Sequence, residues 1–334
     1  MKLVFVLIIF LVICNSAYSK LPLCKGSDYK SYNNCYGSYI YRTEESVHTY
    51  TGEFGNTNGI KEGQGETKIY NNNNGLVFHD FGEYKNDYLN GIGTRIFYDN
   101  SNGGYTYNGE FKNGFFHGSG VKLRVGICAY KFSGEFKEDL YHGIGTLSQD
   151  CPHGRGGTKR NYTGEFQYGL FNGQGTEILS NGIKYTGEFI DDKRHGNGEL
   201  HGLNHKYIGQ FKDDKYHGYG TYTWLDGTQY IGQFKKGAFE GEGELTLLEG
   251  DKYVGQFKDD DFHGYGTYTW SDGSQYIGDW KWGFQHGYGE EKYHDGSSWY
   301  VGNWKDGYPH GIGTEKLSDG TLRKGTFNEG VFQN

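Results

Sequence analysis

Seven histidines stand at the same place in a recurring sequence, which raises the question of metal chemistry. Each begins a His-Gly-x-Gly tetrapeptide; they are His117, His142, His195, His217, His263, His286 and His310. A zinc ion needs ligands about 2.0–2.1 Å away, whereas repeats stacked as pairs of strands lie roughly 10 Å apart. We therefore expect no metal site and interpret these residues as turn histidines that hydrogen-bond to the backbone. A pH response through their protonation stays open as an alternative.

Two charged features could also carry chemistry. Adjacent aspartates such as Asp213–Asp214 could bind calcium weakly, but the ligand spacing of a calcium loop is absent and a lysine follows directly. This favours a solvated edge. The segment with Arg155, Lys159 and Arg160 is basic in an otherwise acidic chain, so it could form a loop that binds a lipid headgroup or a partner. Solvated charges in a glycine-rich loop are the favoured interpretation.

Motifs of known catalytic sites are absent from the sequence. Gly-x-Gly recurs in nearly every repeat, yet the third glycine of a dinucleotide-binding fingerprint is missing each time. The sequence also lacks a Walker A motif, a Gly-x-Ser-x-Gly elbow and a His-Glu-x-x-His motif. We therefore expect no catalytic residues, no enzymatic activity and no bound cofactor.

The histidines and charges are spaced by an internal repeat. Its signature is Tyr-x-Gly-Glu/Gln-Phe, followed nine residues after the glycine by Gly-x-Gly. The signature glycines are Gly52, Gly82, Gly109, Gly134, Gly164, Gly187, Gly209, Gly232, Gly255, Gly278, Gly302 and Gly325. From Gly164 onward the step is 22 to 24 residues. A fixed short period is typical of a repeat architecture, and such arrays present long surfaces that bind partners.

Each repeat has the pattern of a β-hairpin. Alternation places Tyr207, Gly209 and Phe211 on one face of a strand, and Tyr222 with Trp224 on one face of the next. Asp-Gly near residue 226 predicts a two-residue type I′ turn. The 58 glycines argue against helices, because glycine costs a helix about 1 kcal/mol per site. We predict an all-β fold, an elongated, open and twisted single-layer sheet of stacked hairpins.

Aromatic residues on one face of these hairpins form a candidate binding groove, which could hold a peptide or stack on sugars. Most of these rings must pack on one another, but a groove could leave one edge of each ring in solvent. The candidate groove residues are Tyr207, Tyr222, Trp224, Tyr230, Tyr253, Tyr268, Trp270 and Tyr276.

The pattern resembles the MORN (membrane occupation and recognition nexus) repeat family. The resemblance rests on Tyr-x-Gly-x-Phe/Trp, His-Gly-x-Gly and the closing Asp-Gly, and it extends over residues 50–334. Several units depart from it, since Asp80 replaces the opening tyrosine and Asn172 and Glu240 replace the histidine. The resemblance implies hairpins stacked in a curved groove, and a role in protein assembly or phospholipid association.

The N-terminus predicts entry into the secretory pathway. Lys2 is followed by twelve apolar residues and then Ala17-Tyr18-Ser19, which is the pattern of a cleaved signal peptide over residues 1–19. The apolar run is shorter than the roughly 20 residues of a membrane span, although an uncleaved anchor stays open. A short cysteine-bearing segment, 20–49, would precede the array at 50–334. The net charge of −8 argues against nucleic acid as a partner.

Four cysteines remain after the predicted cleavage. Cys128 and Cys151 are one repeat period apart, late in consecutive repeats, so we expect a disulfide that clips the third and fourth repeats together. Cys24 and Cys35 then pair by default, and free thiols at Cys128 and Cys151 are the alternative. Asn161 begins an Asn-Tyr-Thr glycosylation sequon in the longest loop between repeats.

These observations favour a non-enzymatic, secreted or lumenal scaffold. It would bind a protein partner, or a second copy of itself, along the aromatic groove. One alternative is a peripheral membrane protein that binds phospholipid headgroups. A second is a carbohydrate-binding surface formed by exposed aromatic side chains.

The first testable prediction concerns the N-terminus. Protein recovered from the culture medium should begin near Lys20, because small residues at Ala17 and Ser19 suit the signal peptidase. Intact-mass measurement checks this. A full-length chain in the cytosolic fraction would contradict it.

Overall fold

The computed structural model describes residues 21–56, 58–99, 103–151 and 159–333. In these residues regular structure consists of one 3-10 turn, Tyr29–Ser31, and 25 strands that belong to one open antiparallel sheet. The predicted all-β fold is confirmed. The predicted signal peptide lies outside the described residues.

The chain divides into two compact units. The first contains the described residues up to Lys159 and Phe166–Gly169, and the second contains Arg160–Glu165 and the residues from Leu170 onward. The strands up to this division are β1 (Cys35–Arg42), β2 (Ser46–Phe54), β3 (Lys61–Asn71), β4 (Leu76–Lys85), β5 (Tyr88–Phe97), β6 (Tyr105–Lys112), β7 (Phe115–Arg124), β8 (Ala129–Lys137) and β9 (Leu140–Asp150).

The division falls within the next strand. The remaining strands are β10 (Arg160–Gln167), β11 (Leu170–Leu179), β12 (Lys184–Ile190), β13 (Lys193–His201), β14 (His205–Lys212), β15 (Lys215–Trp224), β16 (Gln229–Lys235), β17 (Ala238–Thr246), β18 (Lys252–Lys258), β19 (Asp261–Thr269), β20 (Gln275–Lys281), β21 (Phe284–Lys292), β22 (Trp299–Lys305), β23 (Tyr308–Lys316), β24 (Leu322–Asn328) and β25 (Val331–Gln333).

A row of glycines crosses the strands of each unit. Gly209 of β14 lies opposite Gly220 of β15, which in turn lies opposite Gly232 of β16. Equivalent glycines face each other in β6–β7 of the first unit and in β12–β13 and β18–β19 of the second. Cross-strand partners point to the same face of a sheet, so the predicted alternation of tyrosine, glycine and phenylalanine is confirmed.

The signature tyrosine lies directly against this glycine pair. A Cβ added to Gly220 would lie 2.5 Å from Tyr207 Oη and 2.7 Å from the ring atom Cζ, and one added to Gly209 would lie 2.6 Å from the Cα of Gly220. The Tyr207 hydroxyl donates a hydrogen bond to the backbone carbonyl of Gln210 at 2.9 Å. Glycine is therefore required because the ring occupies the space of its side chain.

Other aromatic rings cover the tyrosine from above and from the sides. Tyr216 stacks on Tyr207 with ring centroids 4.1 Å apart, while Phe211 and Phe234 meet it edge-on at 5.0 and 5.1 Å. Offset and edge-to-face rings contribute about 0.5–1.5 kcal/mol per pair beyond the area they bury. Each repeat thus contributes to a thin aromatic core that continues into the next repeat.

The His-Gly-x-Gly sequence forms a β-bulge. The register shifts between Gly209 and Gln210, so that Gln210 lies opposite His217. Gly218 takes a φ of +58°, a conformation that suits glycine. The Gln210 side chain then accepts a hydrogen bond from the backbone N–H of Tyr219 at 3.2 Å. The bulge explains why glycine follows the histidine and why Glu or Gln follows the signature glycine.

Two kinds of turn alternate along the array, and the prediction of a type I′ turn at Asp-Gly is wrong. Only Gly227 has a positive φ there, and its N–H donates to the carbonyl of Trp224, as in a type I turn followed by a left-handed glycine. The type I′ turns lie at the other end of the hairpins from β4–β5 onward. Asp213 and Asp214, for example, have φ values of +50° and +67°.

The second aspartate of these turns connects neighbouring repeats. Asp214 Oδ1 accepts a hydrogen bond from the backbone N–H of Arg194 at 3.0 Å, and its own N–H donates to the Arg194 carbonyl. Asp139 bonds to Phe116, and Asp260 to Phe239, in the same way. The acidic pairs are therefore structural turns, in addition to being a solvated edge.

The cysteines pair as expected, but one pair sits elsewhere in the fold. Cys24 and Cys35 are at disulfide distance, with Cα atoms 4.9 Å apart, and Cys24 donates its N–H to the carbonyl of Tyr36 on β1. Cys128 and Cys151, with Cα atoms 4.2 Å apart, directly precede β8 and follow β9. The expectation that they clip consecutive repeats is wrong, because they close the open end of a single hairpin.

The second prediction concerns the glycine row. Gly220→Ala should lower the local opening free energy of β14–β16 by about 2 kcal/mol, because the new methyl group and the Tyr207 ring cannot occupy the same space. Tyr207→Phe should cost at most about 1 kcal/mol, because it loses the hydrogen bond that the hydroxyl shares between the carbonyls of Gln210 and His217 but keeps the ring. Phe132 already fills the equivalent position in β8 and is fully buried. Amide hydrogen exchange measures both changes.

The matched control is Tyr219→Phe, which removes a hydroxyl from an exposed ring on the opposite face. Its exchange pattern should equal that of the wild type. Unchanged protection in Gly220→Ala would contradict the proposed contact between ring and glycine.

Candidate interaction face

The predicted groove residues separate into two classes. Tyr207, Tyr230 and Tyr276 are 0% exposed and Tyr253 is 1% exposed, because each is the signature tyrosine that lies on the glycine row. These four cannot contact a partner, and the part of the prediction that assigned them to an exposed groove is wrong. Burial also raises the pKa of Tyr207 above its usual value, as expected for a core phenol.

The other four predicted groove residues are half-buried and lie on the same face; they are Tyr222, Trp224, Tyr268 and Trp270. Tyr222 lies opposite Tyr207 and Tyr230 in the register, and Tyr268 lies opposite Tyr253 and Tyr276. Each tyrosine packs against the tryptophan two residues later: the Tyr222–Trp224 centroids are 4.5 Å apart and the Tyr268–Trp270 centroids 5.0 Å. These two pairs are the solvent-accessible aromatic groups of the predicted groove.

Tyr222 and Tyr268 belong to a set of positions at which the repeats differ. We call this set the variable row. In the second unit each member lies opposite a residue at the signature-tyrosine position of at least one neighbouring strand. Its members there are Glu177, Leu200, Tyr222, Leu245, Tyr268, Glu291 and Glu315. Acidic, aliphatic and aromatic side chains occur at these positions on one regular backbone.

Three carboxylates in this part of the face already have partners. Glu177, 6% exposed, is held by Arg160 and by Arg194, whose Nη2 is 3.2 Å away. Asp251 accepts hydrogen bonds from the Tyr268 hydroxyl at 2.6 Å and the Ser271 N–H at 2.8 Å. The Tyr268 hydroxyl is the main cause that lowers the pKa of Asp251.

Glu315 is the third of these carboxylates. It lies 3.2 Å from Arg323 of the neighbouring strand.

The first unit carries an ion pair at the place where its sequence departs from the repeat. Asp80 replaces the signature tyrosine and is buried, and Arg95 of β5 donates two hydrogen bonds to its carboxylate at 3.0 and 2.9 Å. The guanidinium also lies 4.9 Å from the Phe78 ring centroid. The ion pair takes the sequence position of the signature tyrosine, while the side chains of Leu89 and Phe111 lie nearest to Gly93 of the glycine row.

Lys159 and Arg160, the two described cations of the predicted basic loop, both have acidic partners. Lys159 pairs with Asp150 at 3.1 Å. Arg160 belongs to β10, where it pairs with Glu177 and lies 4.3 Å from the Phe171 ring centroid. Arg155 lies outside the described residues. The loop assignment of Arg160 is wrong because a buried carboxylate and an aromatic ring hold its side chain in the sheet.

The histidines lie in strands and not in turns, and their side chains do not converge on a shared ion. The histidine carbonyl accepts from the signature tyrosine, as in the Tyr207–His217 pair at 3.4 Å. The ring of His263 packs 5.1 Å from that of Trp282. Within the described residues no group of three or more His, Cys, Asp or Glu side chains could hold a metal ion.

The opposite face carries exposed side chains and the glycosylation sequon. Tyr219 and Tyr265 are each 60% exposed there. Asn161 is exposed but lies in β10, so its placement in a loop is wrong. No helix in the described ranges is long and apolar enough to cross a membrane.

Sequence reasoning missed Glu177 and Glu291 as members of the face. Both stand two residues after the last glycine of the tetrapeptide, which is the offset of Tyr222 and Tyr268. Comparing all residues at that offset would have found them. The predicted groove included only aromatic residues, so these two glutamates were left out.

These features define a repeat scaffold with a regular core and a variable face. A family model described as MORN repeat matches residues 81–102, 107–124, 132–149, 162–184, 185–204, 207–229, 230–252, 253–275, 276–298 and 300–322. The matches cover more than half of the chain, which therefore belongs to the MORN repeat family. No curated protein matches the chain. Repeats of this family are generally non-enzymatic scaffolds for protein or membrane-lipid interaction.

The third prediction tests the position of Arg160. Arg160→Ala should lower the free energy of unfolding by about 2 kcal/mol, because it leaves Glu177 with one partner and uncovers Phe171. Lys159→Ala, the matched control one residue earlier, should change it by less than about 0.5 kcal/mol, because that lysine is exposed. Urea denaturation measures both. Equal effects would contradict the different environments.

Proposed function

We propose that this chain is a secreted or lumenal scaffold that binds a protein partner, or a second copy of itself, through the aromatic face of its second unit. The observation that carries the proposal is the contrast between buried and variable positions. The signature tyrosines are buried on the glycine row, whereas Tyr222, Trp224, Tyr268 and Trp270 are half-buried and open to solvent. Amphipathic rings on a rigid frame are typical anchors of protein interfaces.

The oxidising compartment is supported by the cysteines. Two pairs at disulfide distance indicate an oxidising, secretory-type environment. The signal-peptide pattern over residues 1–19 and the exposed sequon at Asn161 are consistent with that route. Secretion also separates the chain from lipids confined to the cytosolic leaflet.

Protein binding is favoured over headgroup binding by the charges. A headgroup site in the predicted basic loop would need free cations, but its two described cations, Lys159 and Arg160, are paired with Asp150 and Glu177. The net charge of −8 also opposes adsorption to an anionic membrane. Sugar stacking on Trp224 and Trp270 is the other alternative, and a free-oligosaccharide titration distinguishes it.

The fourth prediction removes the aromatic anchors. The double variant Trp224→Ala, Trp270→Ala should lose most binding to proteins of the secreted fraction, because truncating a buried aromatic anchor typically costs an interface 2 kcal/mol or more, roughly thirtyfold in affinity. The control, Tyr219→Ala with Tyr265→Ala, removes two exposed rings from the opposite face and should bind as the wild type does. Quantitative mass spectrometry of retained proteins, with sedimentation velocity for self-association, measures the effect.

Equal retention by both double variants would contradict the assignment of the face. Flotation of the wild type with phosphoinositide vesicles at about 0.15 M salt, where the Debye length is about 8 Å, would favour the membrane alternative.

A further inference from the structure

Glu291 is the one carboxylate of the variable row in the second unit for which the described residues provide no hydrogen-bond or ion-pair partner. Glu177 is held by two arginines and Glu315 by Arg323. Glu291 has no comparable neighbour, although it is half-buried and lies opposite Tyr276 and Tyr300 in the register.

The hydroxyl groups of these two tyrosines are directed elsewhere. Tyr276 donates to the backbone carbonyl of Asp279 at 3.0 Å, and Tyr300 donates to that of Asn303 at 2.9 Å. Burial raises the pKa of Glu291, which is the response of a carboxylate that loses water without gaining a partner. A positive charge brought to this position would therefore meet a carboxylate that no described residue compensates.

The surroundings of Glu291 suit the side chain of lysine or arginine. Tyr268 and Trp270 lie two strands away on the same face, about 10 Å at the usual strand spacing. Long cationic side chains pack their aliphatic stems on aromatic rings and place their charge beside a carboxylate. The acidic net charge of the chain would also attract a basic segment.

We propose that Glu291 receives a lysine or arginine side chain of a basic peptide segment that lies along the aromatic face, with an apolar residue of the segment against Tyr268 and Trp270. This inference rests on the proposed function, because it names the chemistry of the partner that the face binds. It excludes acidic segments, which Glu291 would repel.

The test uses fluorescently labelled peptides with the repeating sequence Leu-Ser-Ala-Ser-Lys-Ser, in which leucine and lysine are four residues apart, and the same peptides with Gln or Glu in place of Lys. A spacing of four residues keeps leucine and lysine on one face of an extended peptide and spans about 13 Å, close to the two strand spacings and two residues that separate Trp270 from Glu291. Titrations by fluorescence anisotropy use the full chain, the variant Glu291→Gln and the control Glu290→Gln. Glu290 lies on the opposite face, opposite Ile277 and Val301, and is paired with Lys292.

The lysine peptide should bind the wild type about tenfold more tightly than the glutamine peptide, because a charged hydrogen bond contributes at least about 1.5 kcal/mol. Glu291→Gln should abolish this difference, whereas Glu290→Gln should preserve it. Affinity for the lysine peptide should fall as the pH is lowered through the raised pKa of Glu291, and this step should be absent in Glu291→Gln. The facing groups Tyr276 and Tyr300 have raised pKa values and stay neutral in this range.

Equal binding of the lysine and glutamine peptides, equal losses in the two glutamate variants, or no binding of the lysine peptide would overturn the inference. A glutamine peptide that binds the wild type as well as the lysine peptide does, and is lost in Trp270→Ala, would leave the proposed function standing and contradict only the charge preference. Failure of the proposed function itself is measured separately, by unchanged retention of partners in the tryptophan double variant.

Discussion

The contact between a tyrosine ring and a pair of facing glycines underlies the rest of this structure. A sheet that is not covered by a second layer has no interior in which to bury large side chains. In this chain, glycines at facing positions of paired strands leave space on the sheet for a ring. The ring of Tyr207 then fills the space at Gly209 and Gly220, and rings of the same and the next repeat cover it. The repeat in the sequence follows from this contact, because most hairpins of the array place an aromatic ring on a glycine pair.

The same contact decides which positions can carry function. The signature tyrosines and phenylalanines are committed to the core, and the turn aspartates are committed to hydrogen bonds between repeats. The residues of the variable row and those that follow it neither cover the glycine row nor form the turns between repeats. They can hold an ion pair at Glu177, aromatic pairs at Tyr222 and Tyr268, or an uncompensated carboxylate at Glu291 without disturbing the frame.

Much of the fold could be predicted from the sequence, because the period of two along each strand and the 22- to 24-residue repeat are local signals. The side-chain faces of Tyr207 and Tyr222 and the pairing of the cysteines followed from them. The turn types did not, because Asp213–Asp214 and Asp226–Gly227 are both acceptable turn sequences and the strand register chooses between them. The environment of Arg160 depends on Glu177, seventeen residues away in the sequence. Patterns among neighbouring residues do not reveal such a contact.

The most direct test of this account is the chemical shift of the glycine Hα protons, measured by NMR on protein with labelled glycine. Protons held against the face of an aromatic ring are shielded by its ring current. The account predicts that the Hα resonances of Gly209 and Gly220 lie well upfield of those of the turn glycines Gly227 and Gly250, which have no ring against them. Coincident shifts for the two groups would contradict the claim that a ring occupies the glycine row.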